Sequence, residues 1–358
     1  MARRRPRLSV DSAGETGFTV LSSVVSGAGL QPAGSAPQVT RKSPCVIAPH
    51  LTVTVMWASA GIFAALAVAT AGTSTLASWR PQRDYRELLD RVWTWWLMIG
   101  VFAIALLLGR MAMLIFLGLV SFLALKEYLS VIPTRRADRR VLLWAYLAIP
   151  VQYYWVGTEW YGMFVIFIPI YMFLLLPLPM LIIGETQGFL KAIGTLHWGL
   201  MATVFSVSHA AFLLVLPASG NPIGGGPGLL LFLLILTESN DVAQFVWGKL
   251  LGRHKVIPKV SPGKTWEGLV GGVATTMVLS CALAPWLTPL SFQHSLIVGL
   301  LLGVAGFVGD ITISAIKRDL GIKDSGTMLP GHGGILDRLD SLTYTAPLFF
   351  HYVRFFYF

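Results

Sequence analysis

The sequence predicts an all-α, polytopic integral membrane protein with about nine or ten transmembrane helices. Of its 358 residues, 55% are hydrophobic and only 12% are charged, and the mean hydropathy is +0.69. Soluble domains carry roughly 25% charged residues, so this composition excludes an ordinary soluble enzyme. Apolar stretches of about 18 residues or more recur along the chain, and each is long enough to cross about 30 Å of hydrocarbon.

Hydropathy, together with glycine and proline at the boundaries, predicts where each helix lies. The ten expected spans are 54–78, 92–108, 111–132, 142–157, 160–183, 194–216, 228–248, 268–287, 294–315 and 342–358. Two of the connections, at 109–110 and 157–160, are very short. Nine spans therefore remain an alternative to ten.

The N-terminal tail differs in composition from the rest of the chain. After a basic start it is rich in serine, glycine, proline and alanine, and such a segment cannot bury enough apolar surface to offset its ordering entropy. We expect residues 1–53 to be disordered or, since Met56 begins the first apolar run, not to be translated. The remainder is expected to form N-terminal transmembrane helices at 54–225 and a catalytic transmembrane region at 226–358.

Basic residues gather in alternate loops. Eighteen lysines and arginines lie in five loops, at 79–91, 133–141, 184–193, 249–267 and 316–341. The loops between them hold only Arg110. This asymmetry predicts a multi-pass protein of the cell (inner or plasma) membrane whose basic loops face the cytoplasm. It also explains the net charge of +10 without a nucleic-acid partner, because no basic and aromatic module is present.

The first polar cluster, "TESNDVAQFVWGKLLGR", lies in the seventh span. Four side chains share one helical face at i, i+3, i+4 and i+7: Thr237, Asn240, Asp241 and Gln244. Glu238 lies beside them. A carboxylate at membrane depth costs several kcal/mol unless it is paired, hydrated or metal-bound, which favours a functional site. Interhelical hydrogen bonding is the alternative explanation of the stripe.

The second cluster, "KVIPKVSPGKTWEGLVGG", is a cytoplasmic loop that enters a helix near Glu267. Hydroxyl and ammonium donors come just before the helix, from Ser261, Lys264 and Thr265. Backbone N–H groups at a helix start, together with a lysine, can bind phosphate, although the Walker spacing is absent. A basic loop attracted to anionic lipid is an equally good explanation from composition.

The third cluster runs from Asp310 to Asp340. One helical face carries Asp310, Ser314, Lys317 and Arg318. A bare glycine backbone follows at "GHGG", and then Asp337 and Asp340 lie at i and i+3. Carboxylates beside cations and glycines suit a magnesium-bound polyphosphate, whose charge the cations and the metal would spread during phosphoryl-type transfer. The alternative is a salt-bridged interfacial loop.

These segments resemble a known family. "SAIKRDLGIKDSGTMLPGHGGILDRLDS" is similar to the signature of phosphatidate cytidylyltransferases (CDP-diacylglycerol synthases). "KVSPGKTWEG" and "DVAQFVWGKLLGR" resemble two further blocks of that family, and the clear resemblance covers about residues 230–345. The resemblance implies an all-helical membrane enzyme of phospholipid biosynthesis. Such an enzyme joins CTP to membrane phosphatidate and gives CDP-diacylglycerol and pyrophosphate.

The resemblance also implies roles for individual residues. Asp310 and Asp337 match the aspartates of the metal centre, which implies Mg²⁺ and leaves a second cation open. The other catalytic positions are Lys317, Arg318, Lys323, Asp324, His332 and Asp340. The substrate-binding positions are Asp241, Ser261, Lys264, Thr265, Glu267, Ser314, Gly331, Gly333, Gly334 and Arg338. Proton donation and phosphate hydrogen bonding both stay open for His332, and a homodimer stays open for the assembly.

The sequence departs from the family pattern at one pair of positions. Gln244 and Phe245 stand where the family usually has Ala-Tyr, which adds an amide and removes a phenolic hydroxyl. The departure leaves open a cytidylyltransferase for another lipid phosphate, or a CTP-dependent lipid-alcohol kinase. A membrane transporter is the non-enzyme alternative. The polar residues gather at one face of the membrane and no internal repeat is evident, which disfavours it.

Overall fold

Long helices carry the chain back and forth through one bundle. The computed structural model describes residues 51–79, 85–133, 139–326, 328 and 333–358. Across these ranges there is no β-strand, and an isolated antiparallel bridge pairs Lys255 with Thr265. The predicted disorder of the N-terminal tail concerns residues that, up to residue 50, lie outside the described part of the chain.

Besides a short 3₁₀ helix at Ala218–Gly220, the described residues form eleven α-helices, which we number in chain order. They are α1 (Val53–Trp79), α2 (Arg86–Leu108), α3 (Arg110–Val131), α4 (Arg139–Gly157), α5 (Tyr161–Ile183), α6 (Phe189–Leu213), α7 (Gly225–Leu250), α8 (Trp266–Leu287), α9 (Phe292–Asp319), the short α10 (Leu336–Leu339) and α11 (Leu342–Tyr357). Two of them contain π-helical turns, at Phe167–Met172 in α5 and at Met201–Phe205 in α6.

Each of the ten predicted spans coincides with a helix. Among the described residues, eight helices are long and apolar enough to cross a membrane, namely α1, α2, α3, α5, α6, α7, α8 and α9. The other two fall short of that standard for simple reasons: α11 has only 16 residues, and α4 is rich in tyrosine and tryptophan. An all-α, polytopic membrane protein is confirmed.

Successive helices alternate in direction, so the connections between them lie at two opposite ends of the bundle. At one end Arg110 donates a hydrogen bond to the Gly157 carbonyl at 3.1 Å, which joins the α2–α3 connection to the end of α4. At the other end Arg318 donates to the Val260 carbonyl at 3.2 Å. That contact brings the two long loops of the predicted catalytic region, 249–267 and 316–341, against each other.

Glycines allow α7, α8 and α9 to approach closely. A Cβ atom at Gly268 of α8 would lie 2.8 Å from the backbone carbonyl of Gln244 in α7. One at Gly299 of α9 would lie 2.6 Å from the Cα atom of Met277 in α8. Lipid tails are as apolar as leucine, so membrane helices depend on such close packing of small residues.

Half of the predicted polar stripe of α7 strengthens this packing. Thr237 donates to the hydroxyl of Thr345 in α11 at 3.0 Å, and the Asn240 amide donates to the Gly303 carbonyl of α9 at 3.2 Å. Both side chains are buried. The interhelical explanation therefore holds for these two residues, and the site chemistry of α7 comes from Asp241 and Gln244.

Candidate active site

The three polar clusters meet in one site. Lys264, from the loop before α8, forms an ion pair with Asp310 of α9, with Nζ 2.5 Å from Oδ2. The same ammonium donates to Oε1 of Gln244 in α7 at 3.1 Å, while Ser314 donates to Oδ1 of Asp310 at 3.2 Å. Lys264 is thus the residue that connects segments which are far apart in the sequence.

Asp310 belongs to a group of interacting charges that holds more acids than bases. Its carboxylates are Glu238, Asp241, Asp310 and Asp340, and its cations are Lys264 and Arg338. We call this group the acidic cluster. Four carboxylates against two cations leave two negative charges uncompensated when every group is ionised.

Two observations reflect this excess of negative charge in the acidic cluster. Burial first, and then the charges of Asp310 and Asp241, raise the pKa of Asp340 well above its usual range. The Oδ1 atom of Asp241 is buried and has no hydrogen-bond partner among the described residues. Uncompensated charge and an unpaired oxygen are both costly away from bulk water, and a cation would relieve both.

The cluster fits a magnesium ion that is shared with a ligand. Within the described ranges, no group of three or more His, Cys, Asp or Glu side chains is arranged to hold a metal by itself. Mg²⁺ does not need such a cage, because it usually takes one or two carboxylates and completes its shell with water and phosphate oxygens. The donors here are the hard oxygens that this ion prefers.

Asp337, the second predicted metal ligand, lies in α10 in its own set of contacts. Lys317 donates to its Oδ1 at 2.7 Å, and the backbone N–H groups of Ser325 and Gly334 donate to Oδ2 at 3.0 and 3.1 Å. Burial alone would raise the pKa of Asp337, but these donors outweigh burial and lower that pKa below its usual value. Asp337 and Asp310 are therefore each held by a lysine, and their role as a metal pair stays a prediction.

Two other predicted substrate-binding residues shape the loop that presents Lys264. Thr265 caps α8, since its hydroxyl accepts a hydrogen bond from the Gly268 N–H at 3.1 Å. Glu267 contacts the His254 ring at 2.6 Å and also accepts from backbone N–H groups of the same loop. These contacts occupy both side chains and fix the backbone on either side of the lysine.

The remaining predicted residues differ in position. Lys323 and Asp324 are exposed and Ser261 is half-exposed, and none has a side-chain hydrogen bond or ion pair with another described residue. Gly333 has a φ of +79°, and a Cβ there would lie 2.7 Å from Oδ2 of Asp337, so only glycine fits. Gly331 and His332 lie outside the described residues.

Glu127, near the end of α3, is a contact residue that the sequence prediction missed. Its side chain is buried, with only 7% of the residue exposed. The Ile335 N–H donates to Oε2 at 2.8 Å, the Leu336 N–H donates to Oε1 at 3.1 Å, and the Ser325 hydroxyl also donates to Oε1. The available signal was an ionisable residue inside a predicted span, which is a functional hypothesis in its own right.

Comparisons with known proteins show the family. A model of the cytidylyltransferase family matches residues 89–356. The chain is 48% identical over 297 residues to the uncharacterized protein YnbB of Escherichia coli, an alignment that covers 83% of this chain and 97% of YnbB.

Matches to proteins of stated activity are shorter. The chain is 42% identical over 139 residues to the phosphatidate cytidylyltransferase of Haemophilus influenzae, covering 36% of this chain and 46% of that protein. It is 38% identical over 120 residues to the phosphatidate cytidylyltransferase of Staphylococcus saprophyticus, covering 33% and 46%. The chain thus matches about half the length of these phosphatidate cytidylyltransferases.

The charge balance of the acidic cluster leads to a prediction about Arg338. Replacing it by glutamine (Arg338→Gln) removes one of the two cations of the acidic cluster and leaves Lys264 alone with four carboxylates. We expect a lower free energy of unfolding, because the buried carboxylates lose part of their charge compensation. Thermal and denaturant unfolding of the purified protein in detergent would measure it.

The matched control removes both charges at once. The double variant Glu238→Gln/Arg338→Gln should recover a large part of the lost stability, since it removes one acid together with the cation and keeps the wild-type excess of acids over bases. Equal stability losses in the single and double variants would show that Arg338 does not compensate Glu238.

Proposed function

The chain belongs to the cytidylyltransferase family, and from that premise we propose that it transfers the cytidylyl group of CTP to phosphatidate, giving CDP-diacylglycerol and pyrophosphate. Family membership makes it a nucleotidyltransferase of the membrane that uses CTP and a lipid acceptor. Phosphatidate as the acceptor is our proposal. The observation that carries the proposed reaction is the contact of Lys264 with Asp310 and Gln244, because this contact joins the three polar clusters in one charged site.

The position of the cations supports a reaction between a soluble nucleotide and a lipid. The side chains of Lys264 and Lys317 are 19% and 15% exposed, so both are partly accessible from solvent. We propose that this end of the bundle faces the cytoplasm of the cell membrane, since the basic loops gather there. CTP and a lipid headgroup can then reach the same depth.

Asp310 and Asp337 are the proposed ligands of a magnesium ion. When bound, Mg²⁺ would supply positive charge to the triphosphate in a place where the protein alone is acidic. Lys317 donates to Oδ1 of Asp337, and a carboxylate oxygen that accepts one hydrogen bond keeps a lone pair for a metal ion. Lys264 and Lys317 would also attract the triphosphate through their charge.

The chemical step needs little help with protons. The phosphate of phosphatidate is ionised at neutral pH, so its oxygen can attack without a strong general base. A bond forms between that oxygen and the α-phosphorus of CTP, and the bond from this phosphorus to the oxygen bridging to the β-phosphorus breaks. Pyrophosphate leaves with the electron pair. Lys264 and Lys317 compensate the charge that develops during the transfer, and Lys323 and Arg318 are proposed to bind the same phosphates.

One observation favours a second candidate, a cytidylyltransferase for another lipid phosphate. Gln244 replaces the alanine usual in the family, and its Oε1 accepts a hydrogen bond from Lys264. Its Nε2 is buried and has no partner among the described residues, so the amide can donate to an acceptor on a substrate. The extensive match to YnbB, beside partial matches to phosphatidate cytidylyltransferases, is consistent with a different acceptor.

The position of a radioactive label separates the proposed reactions. The purified protein is incubated with Mg²⁺, phosphatidate and CTP labelled on either the α- or the γ-phosphate. Label from the α-phosphate should enter the lipid, and label from the γ-phosphate should appear only in pyrophosphate. Lipid that acquires the γ label instead would mean a CTP-dependent kinase and would overturn the proposal.

Matched variants connect that activity to the site. Asp337→Asn should lower turnover by about 100-fold or more, because it removes charge from the proposed metal and phosphate site. Asp319→Asn is the control, since Asp319 is exposed at the end of α9 and makes no contact in the site. Unchanged turnover in Asp337→Asn would remove this residue from the catalytic machinery.

A lipid panel tests the second candidate through Gln244. Phosphatidate, lysophosphatidate and a prenyl phosphate are compared by kcat/KM for the wild type and for Gln244→Ala. The substitution should change the preference among these lipids by about tenfold, because the buried amide loses a hydrogen bond to one of them. Gln293→Ala, at the exposed start of α9, is the control. An identical preference in all three proteins would show that Gln244 does not select the acceptor.

A further inference from the structure

We propose that Glu127 is a positioning residue of the active site, whose carboxylate holds Ser325, Ile335 and Leu336 so that Asp337 and Lys317 meet. We call the described residues 325–326 and 333–336 the signature loop. The kinetic part of this proposal rests on the proposed function, whereas its structural part does not. Glu127 touches neither of the two lysines nor any group expected to react. Its effect passes through the backbone of the signature loop.

Glu127 is a buried carboxylate that is satisfied by the loop itself. Two backbone N–H groups and one hydroxyl donate to its two oxygens, from Ile335, Leu336 and Ser325. A buried carboxylate is costly unless several donors compensate it, and here all the donors among the described residues come from this one loop. The contact is therefore strong and specific for the loop conformation.

The same loop is held on its other side by Asp337. Ser325 donates through its backbone N–H to Asp337 and through its hydroxyl to Glu127. At the far end of the loop, the Gly334 N–H donates to Asp337, and the next two N–H groups donate to Glu127. Two carboxylates from distant parts of the chain thus fix both ends of one loop. Losing Glu127 would leave Asp337 to hold the loop alone.

Two glycines in the loop make room for Glu127. A Cβ at Gly326 would lie 2.9 Å from its Oε2, and a Cβ at Gly334 would collide with the carboxylate itself. Neither glycine has a positive φ, so backbone conformation does not require glycine there. Gly334, one of the predicted substrate-binding positions, lies against the Glu127 carboxylate in the structure.

The rival explanation is that Glu127 blocks an anion site meant for a substrate phosphate. The two explanations predict opposite kinetics. Removing a positioning residue raises KM and lowers kcat, because the lysine and aspartate are no longer held together. Removing a blocking anion lowers the KM for CTP. Glu127 is buried, and both of its carboxylate oxygens already accept hydrogen bonds from the signature loop, which favours positioning.

The first experiment compares Glu127→Gln with the control Glu159→Gln. Glu159 is half-exposed and pairs with Arg110 at the opposite end of the bundle. Hydrogen exchange of the purified protein without substrate should be at least about tenfold faster at Ile335 and Leu336 in Glu127→Gln, since both N–H groups lose a charged acceptor. Exchange in α8 and α9 reports whether the bundle stays folded. Unchanged exchange at both amides would overturn the proposal.

The second experiment uses the steric relation between Gly334 and Glu127. Gly334→Ala and Glu127→Ala should each lower kcat/KM by about tenfold or more, whereas the double variant should be no worse than Glu127→Ala, because the truncated side chain leaves space for the new methyl group. Gly194→Ala is the glycine control, since nothing lies within 4 Å of its Cβ position. Fully additive losses, or a lower KM for CTP in Glu127→Ala, would refute positioning.

Different results would overturn the proposed function and the positioning role of Glu127. If the wild type forms no lipid product from CTP and any acceptor, the proposed function fails, but the exchange rates still decide whether Glu127 holds the loop. If the wild type is active and the exchange rates do not respond to Glu127→Gln, the positioning role fails and the proposed function stands.

Discussion

The site depends on ion pairs that compensate charged side chains which are largely shielded from water. Lys264 on Asp310 and Lys317 on Asp337 are the central pairs, at 2.5 and 2.7 Å. The Lys264–Asp310 pair joins the second polar cluster to the third, and the Lys317–Asp337 pair joins α9 to α10 within the third cluster. Acidic side chains still outnumber basic side chains around Asp310, so the site favours the binding of a cation. An apolar bundle can hold such a site only because helix packing and loop contacts hold each charged group in place.

The rest of the fold serves that arrangement in two ways. Glycines such as Gly268 and Gly299 let α7, α8 and α9 approach closely, which brings Asp241, Gln244 and Asp310 together at one end of the bundle. The loops at that end are then held by polar contacts. Thr265 caps a helix, Arg318 joins one loop to another, and Glu127 holds the signature loop from α3. The predicted catalytic region is therefore contacted by a residue from the first half of the chain.

Periodicity and motif spacing predicted the local features well. Hydropathy predicted the helices because each span must satisfy its own backbone within the bilayer, and this requirement depends on local sequence. The spacing of Asp310 and Lys317 also placed both residues on one helical face. Long-range contacts were harder: Glu127 lies 198 residues from Ser325 in the sequence, and no local pattern relates them. For the same reason the sequence did not distinguish Thr237 and Asn240, which join helices, from Asp241 and Gln244, which face the site.

Binding of a divalent ion shows whether the acidic cluster is a site for a metal–nucleotide complex. Mn²⁺ can replace Mg²⁺ and is observed by electron paramagnetic resonance in the purified protein with CTP. Bound Mn²⁺ should appear in the wild type and in Asp319→Asn, and its affinity should fall at least about tenfold in Asp310→Asn. Equal Mn²⁺ affinity in the wild type and in Asp310→Asn would contradict the account.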